Sequence, residues 1–482
     1  MKTPVDSYHP PTRLVGALAL AWTLPVLTLL IPGCSVGPAY KAPEPHAASS
    51  FASGAGYGTA APDLQWWTSF HDPRLEGLIA RAMTNNPDVR VATARLQEAR
   101  ALLNESRADL HPTVRSEDSY NNGLASVAAR PSFPRNAREG ELYHAGFDAT
   151  WELDLFGRVR RSVEARRADL ATLEAQKRDV LVSLMGEVAR NYFELRGNQS
   201  QLAVARRNAE NQQETVRLAI ALRDGGRGTE LDVARARTQL NLTLASVPPL
   251  ESAVERSLHR IAVLTGEQPG SLPRELREAT PVPAFTTLPN IGAPADLFRR
   301  RPDIAAAERS LAAATARVGV AAGDLFPKVT FTGTVALEGT TFTRMGGSGG
   351  DTWGFGPHIS WAAFDLGRVR QRVKAAGARA EAALALYDKT LLAALEETEN
   401  ALVDYGRQQA RRDALKASVA SATQAVGFAR QRYKDGVADF LTVLDAERVQ
   451  LQVEDSLAAS ETRTATALVA IFKALGGGWV PR

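Results

Sequence analysis

Hydrophobic and polar positions alternate with a period of two in two stretches of the chain. In the first, Tyr143, Ala145, Phe147, Ala149, Trp151 and Leu153 fall on one side, opposite His144, Gly146, Asp148, Thr150, Glu152 and Asp154. In the second, Val329, Phe331, Val335 and Leu337 oppose Lys328, Thr330, Thr332, Thr334 and Glu338; then Trp353, Phe355, Ile359 and Trp361 oppose Thr352, Gly354, Gly356, His358 and Ser360. Strict alternation with aromatics on the apolar side suits a barrel strand with lipid on one face and water on the other. A half-buried antiparallel sheet produces the same pattern, so the strands alone leave both readings open. Each stretch predicts one hairpin, closed by a polar loop rich in Gly, Ser or Pro at residues 125–140 and 341–351. Four strands are too few to close a barrel, so a membrane-spanning reading requires several copies; three would supply twelve strands.

The rest reads as helix. From Arg158 to Asp224, and from Arg368 to Asp435, there is no proline, and Ala, Leu, Arg, Glu and Gln dominate. That composition is helical or coiled-coil, and some 67 residues at 1.5 Å each reach roughly 100 Å. A shorter helix returns after each turn, over residues 229–265 and 440–475. Antiparallel helices of this length must bury their apolar stripes against each other or against neighbouring chains.

The chain is an internal duplication. Asn86-Pro-Asp-Val89 recurs as Arg301-Pro-Asp-Ile304, 215 positions later, and Asp109-Leu-His-Pro-Thr-Val114 as Asp324-Leu-Phe-Pro-Lys-Val329. The offset then becomes 210, at Trp151/Trp361, Gly157-Arg-Val-Arg160/Gly367-Arg-Val-Arg370, Gly226/Gly436, Leu231/Leu441, Val233/Val443 and Ala236/Ala446. Pro87 and Pro302 suit a first helical turn. Pro112 and Pro327 end the helix before them. The expected organisation is a signal peptide (1–33) and an N-terminal segment (34–85), followed by a first repeat (86–265) with its hairpin at about 113–156 and its long helix at 158–224. A linker (266–300) leads to a second repeat (301–475) with its hairpin at about 328–366 and its long helix at 368–435, and a tail (476–482) ends the chain. The linker, the segment 35–62 and the glycines 476–478 read as connections outside the helical tube.

Composition narrows the function. Net charge is +4, and no Lys/Arg cluster with interleaved aromatics is present, which speaks against nucleic acid. The single cysteine excludes an internal disulfide framework and a cysteine-based zinc site. Cys34 follows Lys2, Arg13, an apolar stretch from Leu14 to Ile31, and Pro32-Gly33. This reads as a secretory signal ending in something similar to a bacterial lipobox, whose cysteine receives diacylglycerol; Pro32 is unusual there, and an incidental cysteine after an ordinary signal is the alternative. No later run is apolar enough for a spanning helix, so entry into a membrane requires a closed β-barrel. The seven histidines are scattered without metal-ligand spacing. Gly225-Gly-Arg-Gly-Thr-Glu230 lacks the Lys of a phosphate loop, and Glu187 and Glu397 are repeat-related helix residues suited to contacts between helices. No enzyme, metal site or cofactor is expected, beyond a covalent lipid on Cys34.

Taken together, the motifs resemble the TolC-like outer-membrane factor family, in its efflux-lipoprotein branch. They are Cys34-Ser-Val-Gly-Pro-Ala-Tyr40, the Trp-Trp-x-x-Phe-x-Asp-Pro-x-Leu segment from Trp66 to Leu75, Asn86-Pro-Asp88, Asp109-Leu-x-Pro112 and Trp151-Glu-Leu-Asp-Leu-Phe-Gly-Arg158. The likeness covers essentially the whole mature chain. It implies a mainly α fold in which duplicated helical hairpins build an α-barrel and four strands per chain join a trimeric twelve-stranded transmembrane β-barrel, with an equatorial belt from 266–300 and the termini. It also implies a lipid-anchored homotrimer in a Gram-negative outer membrane, in contact with its lipid and reaching into the periplasm. Such a duct passively conducts small molecules such as drugs, delivered by a periplasmic adaptor (membrane fusion) protein and an inner-membrane pump of the resistance-nodulation-division type. A duct for type I protein secretion is the variant within the family; a periplasmic adaptor is the rival outside it.

The resemblance also implies particular sites. The adaptor meets the helix reversals, which fall at Asp224, Gly225, Gly226 and Gly228, and at Asp435 and Gly436. The entrance closes just past the second reversal, in a Leu-x-x-x-Asp-x-x-Arg stretch matched by Leu441, Asp445 and Arg448, while Tyr433 stands where relatives tether neighbouring helices. One Asp445 per chain would make a ring of three carboxylates that repels anions, attracts cations and is held shut by Arg448. Thr442 stands where some relatives carry a second acid. Read from the residues alone, Asp445 and Arg448 are a surface i,i+3 pair.

Overall fold

A computed structural model of the chain describes residues 35–44, 48–283 and 288–479, so Cys34 and the signal segment lie outside the described residues. The strands are β1 (Thr113–Leu124), β2 (Glu139–Leu153), β3 (Lys328–Gly339) and β4 (Asp351–Ser360). The helices are α1 (Pro73–Asn85), α2 (Pro87–Ala108), α3 (Arg158–Asp224), α4 (Glu230–Leu264), α5 (Pro294–Arg300), α6 (Pro302–Gly323), α7 (Leu366–Lys434) and α8 (Phe440–Ala474). Among the described residues two compact units emerge: one holds residues 35–40, 104–165 and 314–378, and the other holds the rest.

The first unit carries a single antiparallel sheet in the order β1-β2-β3-β4. Each repeat supplies a hairpin, and the two hairpins join through β2 and β3, with Phe147 opposite Val335 and Trp151 opposite Phe331. That register puts the apolar positions of both repeats on one face, where neighbouring side chains support each other. Phe147, Val335, Trp353 and Phe355 on this face are all more than 60% exposed. The other face carries Arg115, Glu117, His144, Asp148, Glu152, Lys328 and Glu338. There His144 Nδ1 lies 3.2 Å from Glu338, and the Thr334 hydroxyl donates to Asp148 at 2.5 Å. A half-buried soluble sheet would cover its apolar face with core; this one leaves it bare and aromatic, as a lipid-facing band does.

The repeat-related tryptophans anchor the ends of the hairpins. Trp151 Nε1 donates to the Leu110 carbonyl at 3.1 Å, and Trp361 Nε1 to the Leu325 carbonyl at 3.0 Å. This explains the pairing of the Asp-Leu-x-Pro segment with the tryptophan of the same repeat. Asp154 then accepts the Val159 and Arg160 N–H groups at 3.1 and 2.9 Å, satisfying donors that the start of α3 leaves open. The segment after Cys34 packs at this junction, the Val36 N–H donating to the Phe156 carbonyl at 3.1 Å.

In the second unit, α1 starts with Asp72 accepting the Arg74 N–H and Pro73 at the first turn. Trp66, Phe70 and Leu75 of the tryptophan motif are buried in a core with Phe193 and Phe472; the Trp66 and Phe472 rings stack at 5.2 Å. The helices α3, α4, α7 and α8 end alike, with a glycine at φ +74 (Gly226), +77 (Gly266), +71 (Gly436) and +71 (Gly476). At each end the N–H after the glycine bonds the carbonyl five residues back: Arg227 to Leu222, Glu267 to Ala262, Val437 to Arg432 and Gly477 to Phe472. This is a Schellman closure, which needs a left-handed residue that glycine alone adopts without steric cost. The duplicated proline motifs finish the same ends. Asn86 Nδ2 donates to the Leu264 carbonyl at 2.9 Å, and Arg301 Nη1 to the Ala474 carbonyl at 2.9 Å.

Helix α4 runs unbroken through Pro248 and Pro249, in line with the return helix expected over 229–265. The structure departs from the sequence reading in two places. The glycines 476–478 are buried against Arg300, Trp66 and Met185 and are no loose connection, because small residues let the backbone approach those groups closely. Glu397 does bridge helices, reaching Lys473 of α8 at 3.9 Å as well as Arg301 at 2.7 Å, whereas Glu187 pairs with Arg190 of its own helix at 3.8 Å. The glycine requirement is testable: Gly226→Ala and Gly436→Ala should each cost about 1–2 kcal/mol. Gly225→Ala, where φ is not positive, should be close to neutral in the same thermal melts of the detergent-extracted protein.

Candidate functional site

At each reversal the helix ends in the Schellman closure and the next helix is capped at once. Thr229 and Asp232 form a reciprocal capping box, and Asp439 accepts the Thr442 N–H at 3.0 Å and its hydroxyl at 2.7 Å. Asp224, Gly225, Gly226, Asp435 and Gly436 are exposed, Gly228 half so. Only Gly226 and Gly436 are required by a positive φ. Asp224 pairs with Arg223 at 2.7 Å, and Asp435 accepts from Gln431 at 3.0 Å. Val437 presents an apolar side chain to solvent beside them.

Leu441, Asp445 and Arg448 line one groove of about 510 Å³, shared with Leu231, Arg235 and Thr238 of α4. Spacings of four and three place the first three on one face of α8. Arg448 Nη2 donates to Asp445 Oδ1 at 2.5 Å, and both side chains are largely exposed. Leu441 is also exposed, an unusual setting for a leucine beside two charges, as expected of a position that meets another surface. Tyr433 lies elsewhere, in the apolar cluster behind the reversal, its ring 5.1 Å from Phe440. Its hydroxyl has no hydrogen-bond partner. Burial, and then the Asp232 charge, push its phenol above the ordinary range.

Sequence reasoning missed Glu447. This carboxylate is buried, and its Oε1 accepts from Thr215 of α3 at 2.6 Å and from Nε and Nη2 of Arg430 of α7 at 2.9 and 2.7 Å. It thus ties three helices two turns beyond the reversal. Further along, Asn208 donates to Glu454 at 2.9 Å and Gln201 to Asp455 at 2.8 Å. Thr215, Asn208 and Gln201 are spaced by seven, a polar seam along α3 facing α8. The available signal was spacing: Glu447 lies two turns from Phe440, on the stripe with Val443 and Leu444, and all of these are buried.

Two contrasting outcomes follow. Glu447→Ala strips charge-assisted hydrogen bonds from Arg430 and Thr215 and should cost about 1.5–3 kcal/mol. Replacing Glu447 and its half-buried partner Arg430 together by leucines should recover part of that loss in the same thermal melts. Asp445→Ala removes only an exposed i,i+3 pair and should change stability by less than about 0.5 kcal/mol.

Comparison with known proteins completes the description. Outer membrane efflux protein is the family that matches, over residues 78–267 and 293–477. The chain is 32% identical to Nodulation protein T of Rhizobium leguminosarum bv. trifolii, over 95% of its own length and 98% of the relative's. It is also 32% identical to the solvent efflux pump outer membrane protein SrpC of Pseudomonas putida, covering 95% and 98%. Among solved structures, the outer-membrane channel OprN superposes with a TM-score of 0.88 at 44% identity, covering 93% of this chain and all of that one.

Proposed function

The chain belongs to the outer membrane efflux protein family, and on that premise we propose that three copies assemble into one gated exit duct that catalyses nothing. It is the outer-membrane channel of a tripartite efflux system, set in the outer membrane of a Gram-negative cell and extending into the periplasm. The trimer is the finer step. The observation that carries it is the four-stranded sheet with a bare aromatic face and a strand at each edge lacking a second partner among the described residues. Edges of that kind are not tolerated in hydrocarbon, and closure by copies of the same sheet removes them.

In this reading the exposed reversals, with Val437 and the acids Asp224 and Asp435, receive a periplasmic adaptor of the membrane fusion type. An inner-membrane pump of the resistance-nodulation-division type supplies the driving force. Small apolar or amphiphilic molecules are the cargo, in keeping with relatives named for solvent, toluene and antibiotic efflux. A lipid on Cys34 would hold the chain's start to the membrane, where the following residues pack beside the strand–helix junction. Leu441, Asp445 and Arg448 form the gate, with Tyr433 and the Glu447 tie holding the helices behind it.

Single-channel conductance in planar bilayers tests this assignment. The wild type should conduct weakly, and Asp445→Ala/Arg448→Ala should conduct several-fold more, without loss of thermal stability. A wild type that already conducts freely, with an unchanged double variant, would remove the gate from these residues.

A further inference from the structure

The groove that holds the gate residues is built twice over. Its walls come from Leu231, Arg235 and Thr238 on α4 and from Leu441, Asp445 and Arg448 on α8. These are the same three positions of the two repeats, 210 residues apart, so the groove is lined by three residues and their own duplicates. The first pair is leucine with leucine. In the second, however, Asp445 corresponds to Arg235, and in the third Arg448 corresponds to Thr238. The duplication has therefore put an arginine, and not a second carboxylate, at the position equivalent to Asp445.

The charges at this groove do not cancel. Asp445 is engaged by Arg448 at 2.5 Å, on the same helix. Arg235 is exposed, lines the groove, and has no ion-pair partner among the described residues. Its charge reaches Asp439, which lies outside the groove lining. That carboxyl is taken up by the Thr442 hydroxyl and N–H, which hold it below the ordinary carboxylate range, with Arg235 adding to the effect. Arg235, Asp445 and Arg448 are the only charged residues lining the groove, leaving one net positive charge per chain.

We propose that Arg235 sets the charge selectivity of the constriction, making it prefer anions and anionic cargo. The proposal rests on the reading of this groove as the gate of a trimer. There, six leucines make the apolar constriction, three copies each of Arg235 and Asp445 lie one turn along, and three copies of Arg448 lie a further turn on. A guanidinium keeps its charge at any physiological pH, so the preference should not titrate. Charged rings at a narrow point decide which ions pass.

The test is the reversal potential in a salt gradient across a planar bilayer, measured in a Leu441→Ala background that widens the constriction without altering its charge. With Arg235 present the potential should carry the sign of chloride preference. Arg235→Gln should shift it towards zero, and Arg235→Glu should reverse it. A cation-preferring channel, or one whose potential ignores Arg235→Glu while Asp445→Ala/Arg448→Ala still raises conductance, would overturn the proposal and leave the gate in place. If no substitution in the groove changes conductance or selectivity, the gate reading falls and takes this proposal with it.

Discussion

The constraint on which everything else depends is the unpaired backbone at the two edges of the sheet. Hydrocarbon offers no hydrogen bonds, and each unsatisfied N–H or C=O there costs several kcal/mol. Four strands have a face fit for lipid and edges that are not. The proposed trimer resolves this, each chain supplying a fraction of a barrel and not a whole one. The duplication fits the same logic: joining β2 to β3 gives one chain two equivalent hairpins, each beginning and ending the same way.

The helical part answers to a second requirement, that long antiparallel helices reverse within a few residues. Two helix ends, at Gly226 and Gly436, solve it with a left-handed glycine; the same geometry ends α4 and α8, which the duplicated Asn86 and Arg301 close from outside. Reversals of this kind are compact and solvent-facing, which suits a contact surface for a partner protein. The groove of the proposed gate lies just beyond them, with three charged side chains in its lining.

Much of this was legible in the sequence because periodicity and duplication report backbone geometry directly. The period-two stretches gave both faces of β2, β3 and β4, and the proline-free runs gave the long helices to within two residues of their observed ends. Leu441, Asp445 and Arg448 could be put on one helix face by spacing, although their grouping in one groove with α4 could not. The pairing of β2 with β3 was not legible, since sequence does not say which hairpin neighbours which. Glu447 was overlooked because a glutamate in a long helix ordinarily faces water, and only its place on the Phe440 stripe betrays its burial. Arg235 escaped notice for a different reason. Its duplicate, Asp445, carries the opposite charge, so neither repeat foretells the other at this position.

The most direct test of the account is the mass of the assembly extracted from outer membranes in mild detergent, by native mass spectrometry or light scattering corrected for detergent. The closure argument predicts a single species of three chains. A stable, folded monomer with its strands intact would contradict it, for the sheet edges would then have to be satisfied without copies of the chain.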